Sequence, residues 1–330
     1  MPFDPIMLHN QLPPFLDAPQ HPDAGFQAYL KLYQLDSLEN LAQHQLGLLN
    51  GYGTPLCVQC FTPTGTIRGT VVLMHGYMEH LALERPLIQQ LLNEGFVVAG
   101  YDLPGHGLSE GKRFWIDSFT RYGCQFGDIV QQLSPQLPGP WHFIGHSTGA
   151  AVLMVHQRQF GDIPHWPLVQ RILLAPLVRP QQYHPIRFKH RWLKYLLSTV
   201  ARYYSANSHD KAFLKFVREQ DPLQHDRIPL DWIGAMLAWT RRIEGSPPMP
   251  GKVTVIQGLA DGTVDWVHNL SVLSELYPQL QIELIEEARH QLINEAAPYQ
   301  SRLFKLLRTA LHSHPSPLPA EPEYRPVSSR

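Results

Sequence analysis

The chain has 330 residues, 44% of them hydrophobic and 17% charged, and a net charge of −1. That length suits one large α/β domain with an insertion, or two small domains. The near-neutral balance gives no ground for nucleic acid as a partner, and no segment reaches the ~20 consecutive apolar residues of a membrane span.

The first residues, 1–54, read as an N-terminal helical extension. "PFDPIMLHNQLPPF" is too broken by proline for a signal peptide, which makes the cytoplasm the expected location. "GFQAYLKLYQLDSLENLAQHQLGLL" has the pattern of one or two short helices, with Asp36 or Ser37 as a cap. From Pro55 short apolar runs take over: "LCVQCF", "GTVVLMHG", "FVVAGYDLPG", "WHFIGHS", "RILLAPLV", "KVTVIQG" and "QIELIEEA". They read as strands, several apolar on both sides of the pleat, as in a sheet covered on each face. Helical patterns lie between them at 82–93, 115–133, 147–160, 267–277 and 291–311. This alternation predicts a mainly parallel, doubly wound sheet, the core occupying 55–178 and 251–312. Residues 179–250 break the alternation with helix-like, aromatic and basic stretches, "RFKHRWLKYLLSTVARYYS", "KAFLKFVREQ" and "PLDWIGAMLAWTRRI". They are too long for a loop and read as an inserted helical cap. The proline-rich 313–330 is expected to be a disordered tail.

Three cysteines, an odd number, imply no disulfide framework. Cys57 and Cys60 form a C-x-x-C, but inside a strand, where positions three apart face opposite ways. No second pair completes a zinc site, so no metal is expected. Cys124 reads as a helix core residue.

Gly145-His146-Ser147-Thr148-Gly149 fits G-x-S-x-G, with a strand before it and a helix after. Such a turn holds a serine exposed above a sheet, at the positive end of a helix. A nucleophilic serine needs a base, and the base needs an orienting carboxylate. With 18 histidines in the chain, availability proves nothing; position narrows the choice. Asp261 follows the strand "VTVIQG" and His290 follows "QIELIEEA", both at carboxyl ends of strands, where open α/β sheets build their sites. Asp265 rivals Asp261 but stands where a helix N-cap is expected. His75, His80, His106 and His146 rival His290, though their turn positions suit hydrogen bonding within those turns. Two backbone N–H groups are candidates for stabilising an oxyanion: Thr148, next to the serine, and Tyr77, in the turn after "TVVLMHG".

"HGYMEH", "YDLPGHGLSEGKR", "GHSTG", "GLADGTVD" and "ARHQLINE" together resemble the α/β-hydrolase superfamily in order and spacing over about residues 55–312. Within it they are most similar to the monoacylglycerol lipase and bacterial lysophospholipase branch, which is grouped with the S33 serine aminopeptidases. The resemblance implies an eight-stranded α/β-hydrolase fold, hydrolysis of acyl esters through an acyl-enzyme, and no cofactor. It assigns Ser147 as nucleophile, Asp261 as acid, His290 as base, and Tyr77 and Thr148 as oxyanion donors. The chain departs from the pattern in two places. Tyr77 stands where a small residue is common after the H-G pair, and the N-terminal extension has no counterpart.

The cap stretch carries Trp192, Leu193, Tyr195, Leu196, Leu197, Val200 and Tyr204 among Arg187, Lys189, Arg191, Lys194 and Arg202. Its default reading is a helix packed on the core with a solvated basic face; the other is an amphipathic helix lying on an anionic membrane surface. An apolar cap over a serine favours a small lipid or ester substrate with an apolar acyl group, such as a monoacylglycerol or a lysophospholipid. Two other readings stay open. An aminopeptidase or amidase would need a carboxylate for the substrate amine, for which Asp210, Glu219, Asp221, Asp226 and Asp231 are candidates. A catalytically silent binding protein would typically lack one of the three catalytic side chains.

Overall fold

The computed structural model describes residues 2–161 and 168–312; the tail expected at 313–330 lies outside them. The chain opens with helix α1 (Pro5–Asn10), whose start is fixed by Asp4 accepting the Ile6 and Met7 amides, and α2 (Gln27–Leu32). Strands and helices then alternate: β1 (Leu41–Gly51), β2 (Thr54–Pro63), β3 (Gly69–Met74), α3 (Arg85–Asn93), β4 (Phe96–Tyr101), α4 (Phe119–Leu133), β5 (Trp141–His146), α5 (Thr148–Phe160) and β6 (Leu168–Leu174). An insertion follows: α6 (Tyr183–Leu193), β7 (Thr199–Ala201), α7 (Lys211–Glu219), β8 (Arg227–Pro229) and α8 (Leu230–Glu244). The alternation resumes with β9 (Val253–Gly258), α9 (Trp266–Leu276), β10 (Leu280–Ile285) and α10 (Ala297–His312).

Eight strands form one sheet in the order β1-β2-β4-β3-β5-β6-β9-β10. Only β2 runs against its neighbours; every other pairing from β4 to β10 is parallel. Successive residues of the central strands feed opposite cores, because the pleat has a period of two. Val72, Val97, Ala99 and Phe143 pack with α4, α5, α8 and α9, whereas Val71, Leu73, Val98 and Ile144 pack with α2, α3 and α10. The sheet is therefore covered on both faces, which is why its strands read as continuous apolar runs. This is the α/β-hydrolase fold. Cys57 and Cys60 fall in different cores, as their spacing requires.

Three expectations need correction. Residues 41–51, read as helical, form edge strand β1, paired with β2 from Leu41↔Pro63 to Gly51↔Thr54. The link is a two-residue turn with positive φ at Tyr52 and Gly53, the twist that a β-hairpin favours. The polar His44 occupies a buried position of that strand, its Nε2 3.0 Å from Gln59 Oε1 and its ring stacked on Phe61, and so disguises the alternation. Cys124 is half-buried rather than part of the core. The helix read across 187–205 ends at Leu193; Thr199–Ala201 then pairs antiparallel with Arg227–Pro229.

The N-terminal segment lies over the α3 and α10 face, burying Phe26, Tyr29, Leu30 and Tyr33. It also reaches the insertion, where the Tyr33 hydroxyl donates to Asp221 at 2.6 Å.

Candidate active site

Ser147 sits between the end of β5 and the start of α5 with φ 51° and ψ −109°. A non-glycine residue there costs roughly 1–3 kcal/mol, so its surroundings must hold it. Its amide donates to the Leu174 carbonyl at 2.8 Å, and its carbonyl accepts from Ala151 and Leu177 at 3.2 Å each. The flanking glycines are steric necessities. A Cβ on Gly149 would lie 2.2 Å from the Met74 carbonyl oxygen, and one on Gly145 2.6 Å from the Ala150 nitrogen. The Ser147 hydroxyl has no hydrogen-bond partner among the described residues, and the residue lines a cavity of about 520 Å³.

His290 lines the same cavity. Its Nδ1 lies 2.7 Å from Asp261 Oδ2, which leaves Nε2 free of that bond. The Asp261 carboxylate is filled: Oδ1 accepts from Thr263 N at 2.8 Å and Val264 N at 3.2 Å, and Oδ2 also accepts from Gln257 Nε2 at 3.1 Å. Burial alone would raise its pKa, but the His290 imidazole and these donors hold it below the ordinary carboxylate value. Asp265 instead caps α9, accepting from His268 N at 3.3 Å. The two aspartates are thus separated by environment, and only Asp261 meets an imidazole.

His75 and His106 are tied into the turns, and His80 into the insertion. His75 donates to the Gly76 carbonyl at 2.7 Å and accepts from Leu103 N at 2.9 Å. His106 bonds the Pro104 carbonyl at 2.9 Å, and His80 Nε2 lies 3.1 Å from Asp221 Oδ2. His146 is different, because both ring nitrogens face acceptors. Nδ1 is 3.0 Å from Glu79 Oε2 and Nε2 is 3.0 Å from the His290 carbonyl oxygen. Burial would lower its pKa, but the Glu79 carboxylate outweighs that and pushes it up to about 9, so His146 is an imidazolium. Glu79 is held well below its usual range, against burial, by the same partner. Gly76 N, at 2.7 Å, and Gln291 Nε2 also donate to it. Glu84, buried beside this pair, is pushed well above the ordinary carboxylate range by burial and then by the Glu79 charge. These three side chains bring ligand-type atoms within 4.8 Å of one another. Sequence reading missed the cluster. Its signal lay in the Glu79 of "HGYMEH" and the His146 beside the serine, separated by 67 positions.

Tyr77 and Thr148 both border the cavity. Thr148 is the first residue of α5, so its N–H has no helical acceptor, and among the described residues the Tyr77 N–H makes no backbone bond. The large Tyr77 ring fits by turning toward the insertion. It stacks on Trp232 with centroids 3.5 Å apart, and its hydroxyl donates to the Phe114 carbonyl at 2.8 Å.

The insertion roofs the cavity. Leu177, Ile186, Leu214, Val217, Ile233 and Met236 give it an apolar wall. Outside, Tyr183 is the only fully buried residue of α6. Phe188, Trp192, Tyr195, Leu196 and Leu197 stand exposed, Leu196 at 78%, among the exposed Arg187, Lys189, Arg191 and Lys194. Tyr183 and Ile186 pack α6 on the core and its basic side chains are solvated, but those aromatic and apolar residues from Phe188 onward are exposed with them rather than packed. No helix among the described residues is long and apolar enough to cross a membrane.

A family model described as serine aminopeptidase, S33, matches residues 65–297, more than half of the chain. The chain belongs to this family of α/β-hydrolases. Human monoglyceride lipase is 30% identical over 130 residues, covering 39% of this chain and 43% of that protein. A monoglyceride lipase homolog of monkeypox virus is 24% identical over 252 residues, covering 73% and 88%. The chain thus spans less than half the length of the human relative, and likewise of the rat and mycobacterial lipases it matches. Among solved structures, the monoacylglycerol lipase of Paleococcus ferrophilus superposes with a TM-score of 0.66 at 22% identity, over 78% of this chain and 98% of that one. A soluble variant of Saccharomyces cerevisiae monoglyceride lipase, in complex with a substrate analog, gives 0.69 at 17% identity, over 81% and 94%. Both likenesses bear on the fold.

Proposed function

We propose that this protein is a serine hydrolase of carboxylic esters with apolar acyl groups, of the monoacylglycerol or lysophospholipid type. The observation that carries this reading is a strained serine and an aspartate-bonded histidine lining one apolar cavity. His290 Nε2 takes the proton as Ser147 Oγ attacks the ester carbonyl, and Asp261 keeps the imidazole in the right tautomer and stabilises it once charged. Ser147 and His290 border the same cavity, and contacts between such a hydroxyl and its base commonly tighten only when substrate is bound. The N–H groups of Tyr77 and Thr148 receive the oxyanion. His290 then protonates the leaving alcohol, and a water activated by the same imidazole releases the acid from the acyl-enzyme. No step draws on a cofactor.

The amide-cleaving alternative is weaker. Of the cap carboxylates that could hold a substrate amine, none borders the cavity among the described residues. Asp210 caps α7, Asp221 is taken by Tyr33, His80 and Gln224, and Asp231 accepts from the Trp115 indole. Glu79 does border it but is neutralised by His146. A silent binding role is disfavoured because all three side chains are present. The exposed aromatic and basic face of the cap suits an anionic lipid surface from which a single-chain lipid enters.

A series of p-nitrophenyl esters and monoacylglycerols, run beside aminoacyl-naphthylamides, tests this. Turnover of esters rising with chain length, with no naphthylamide cleavage, is expected; preferential naphthylamide cleavage would overturn the reading.

A further inference from the structure

We infer that Arg202, with Arg218 at the cavity mouth, forms an anion subsite that selects esters bearing a phosphate or carboxylate over neutral ones. This deepens the ester-hydrolase reading and rests on it. Both arginines line the cavity that holds Ser147 and His290. Arg202 is half-buried and immediately follows β7. Its amide donates to the Asp226 carbonyl at 2.7 Å, Nη1 donates to Gln224 Oε1 at 2.6 Å, and its guanidinium lies 4.4 Å from the Tyr204 ring centroid. The Arg218 guanidinium lies 5.7 Å from the same ring. The Arg202 group is thus held in place with donors to spare among its five N–H groups.

A half-buried cation ordinarily has a counter-ion in direct contact; Arg202 has the Tyr204 ring and hydroxyl beside it and feels Glu79 and Asp221 only at longer range. Among the described residues neither arginine has a carboxylate partner. The carboxylates whose charges act on Arg202 are committed elsewhere: Asp221 to Tyr33 and His80, and Glu79 to His146. Burial works against the Arg202 charge, pulling its pKa below the ordinary guanidinium value. A planar fork in that situation matches the paired oxygens of a phosphate or carboxylate. A substrate whose alcohol part carries such a group would supply the missing charge as its acyl chain fills the apolar wall.

The test compares kcat/KM for 1-octanoylglycerol, 1-octanoylglycerol 3-phosphate and O-octanoyl lactate, all below micelle-forming concentrations. We expect the two anionic esters to exceed the neutral one by at least about tenfold, Arg202→Gln to bring the ratios to within about twofold of unity, and Arg202→Lys to keep part of the preference. Equal kcat/KM in the wild type, or ratios unchanged in Arg202→Gln, would overturn the inference. So would inhibition of 1-octanoylglycerol turnover by inorganic phosphate without any preference for the anionic esters, since that marks a site for the free ion. Turnover of p-nitrophenyl octanoate reports separately on the serine chemistry. If that turnover is absent, binding of the same three lipids to Ser147→Ala by calorimetry still reads the anion preference.

Discussion

The buried Glu79–His146 pair makes a prediction whose size follows from its geometry. His146 is pushed from 6.5 to about 9 in the folded chain, chiefly by a carboxylate 3.0 Å away that overcomes burial. Its folded pKa is raised, so the stabilisation is complete below the unfolded value and is lost as pH rises through the folded one. The window of loss is therefore 6.5 to about 9, and the displacement corresponds to about 3 kcal/mol at ~1.4 kcal/mol per pH unit. Both side chains are almost fully buried, so solvent screening removes little of this. Urea unfolding followed by tryptophan fluorescence, at steps from about pH 6.5 to 9.5, measures it. The wild type should lose about 3 kcal/mol across that range in excess of Glu79→Gln, in which a neutral amide no longer holds the proton on His146. Equal pH slopes for the two proteins would refute the charge assignment. The outcome bears on catalysis as well, because the other nitrogen of His146 bonds the carbonyl of His290.

Two further expectations follow. Asp261→Asn should lower ester turnover by about ten-thousand-fold, by favouring the wrong tautomer of His290. Asp265→Asn should leave turnover within a few-fold, since asparagine caps a helix about as well as aspartate; steady-state kinetics on p-nitrophenyl esters separates the two, and the reverse pattern would exchange their roles. Replacing Trp192 and Leu196 together by serine should weaken sedimentation with anionic vesicles by at least about tenfold, since each apolar side chain contributes ~1.5–3 kcal/mol when buried in lipid. Unchanged sedimentation would show that the exposed face does not meet the membrane.

The parallel sheet was legible because each central strand is apolar on both faces and each is followed by a helical pattern. β1 was not, because its buried face carries His44, and the partner that satisfies it, Gln59, lies on the next strand. The turn signal was present in "NGYGT", where Asn50 Oδ1 accepts from Gly53 N at 2.8 Å. Local motifs also marked Ser147, Asp261 and His290, which the fold brings to one rim. The ion pair behind them was harder to see, since Glu79 and His146 each resemble an ordinary turn residue until β3 and β5 are paired. Arg202 read as one of several basic residues on a helix. Only the break at Leu193 and the pairing of β7 with β8 turn it into the cavity.

The most direct measurement is peptide mapping of the intact protein after reaction with a fluorophosphonate. If Ser147 is the nucleophile and His290 its base, one adduct forms on Ser147, is absent in a folded Ser147→Ala protein, and forms far more slowly in His290→Ala. An adduct on another residue, or labelling of Ser147→Ala at the wild-type rate, would contradict the assignment.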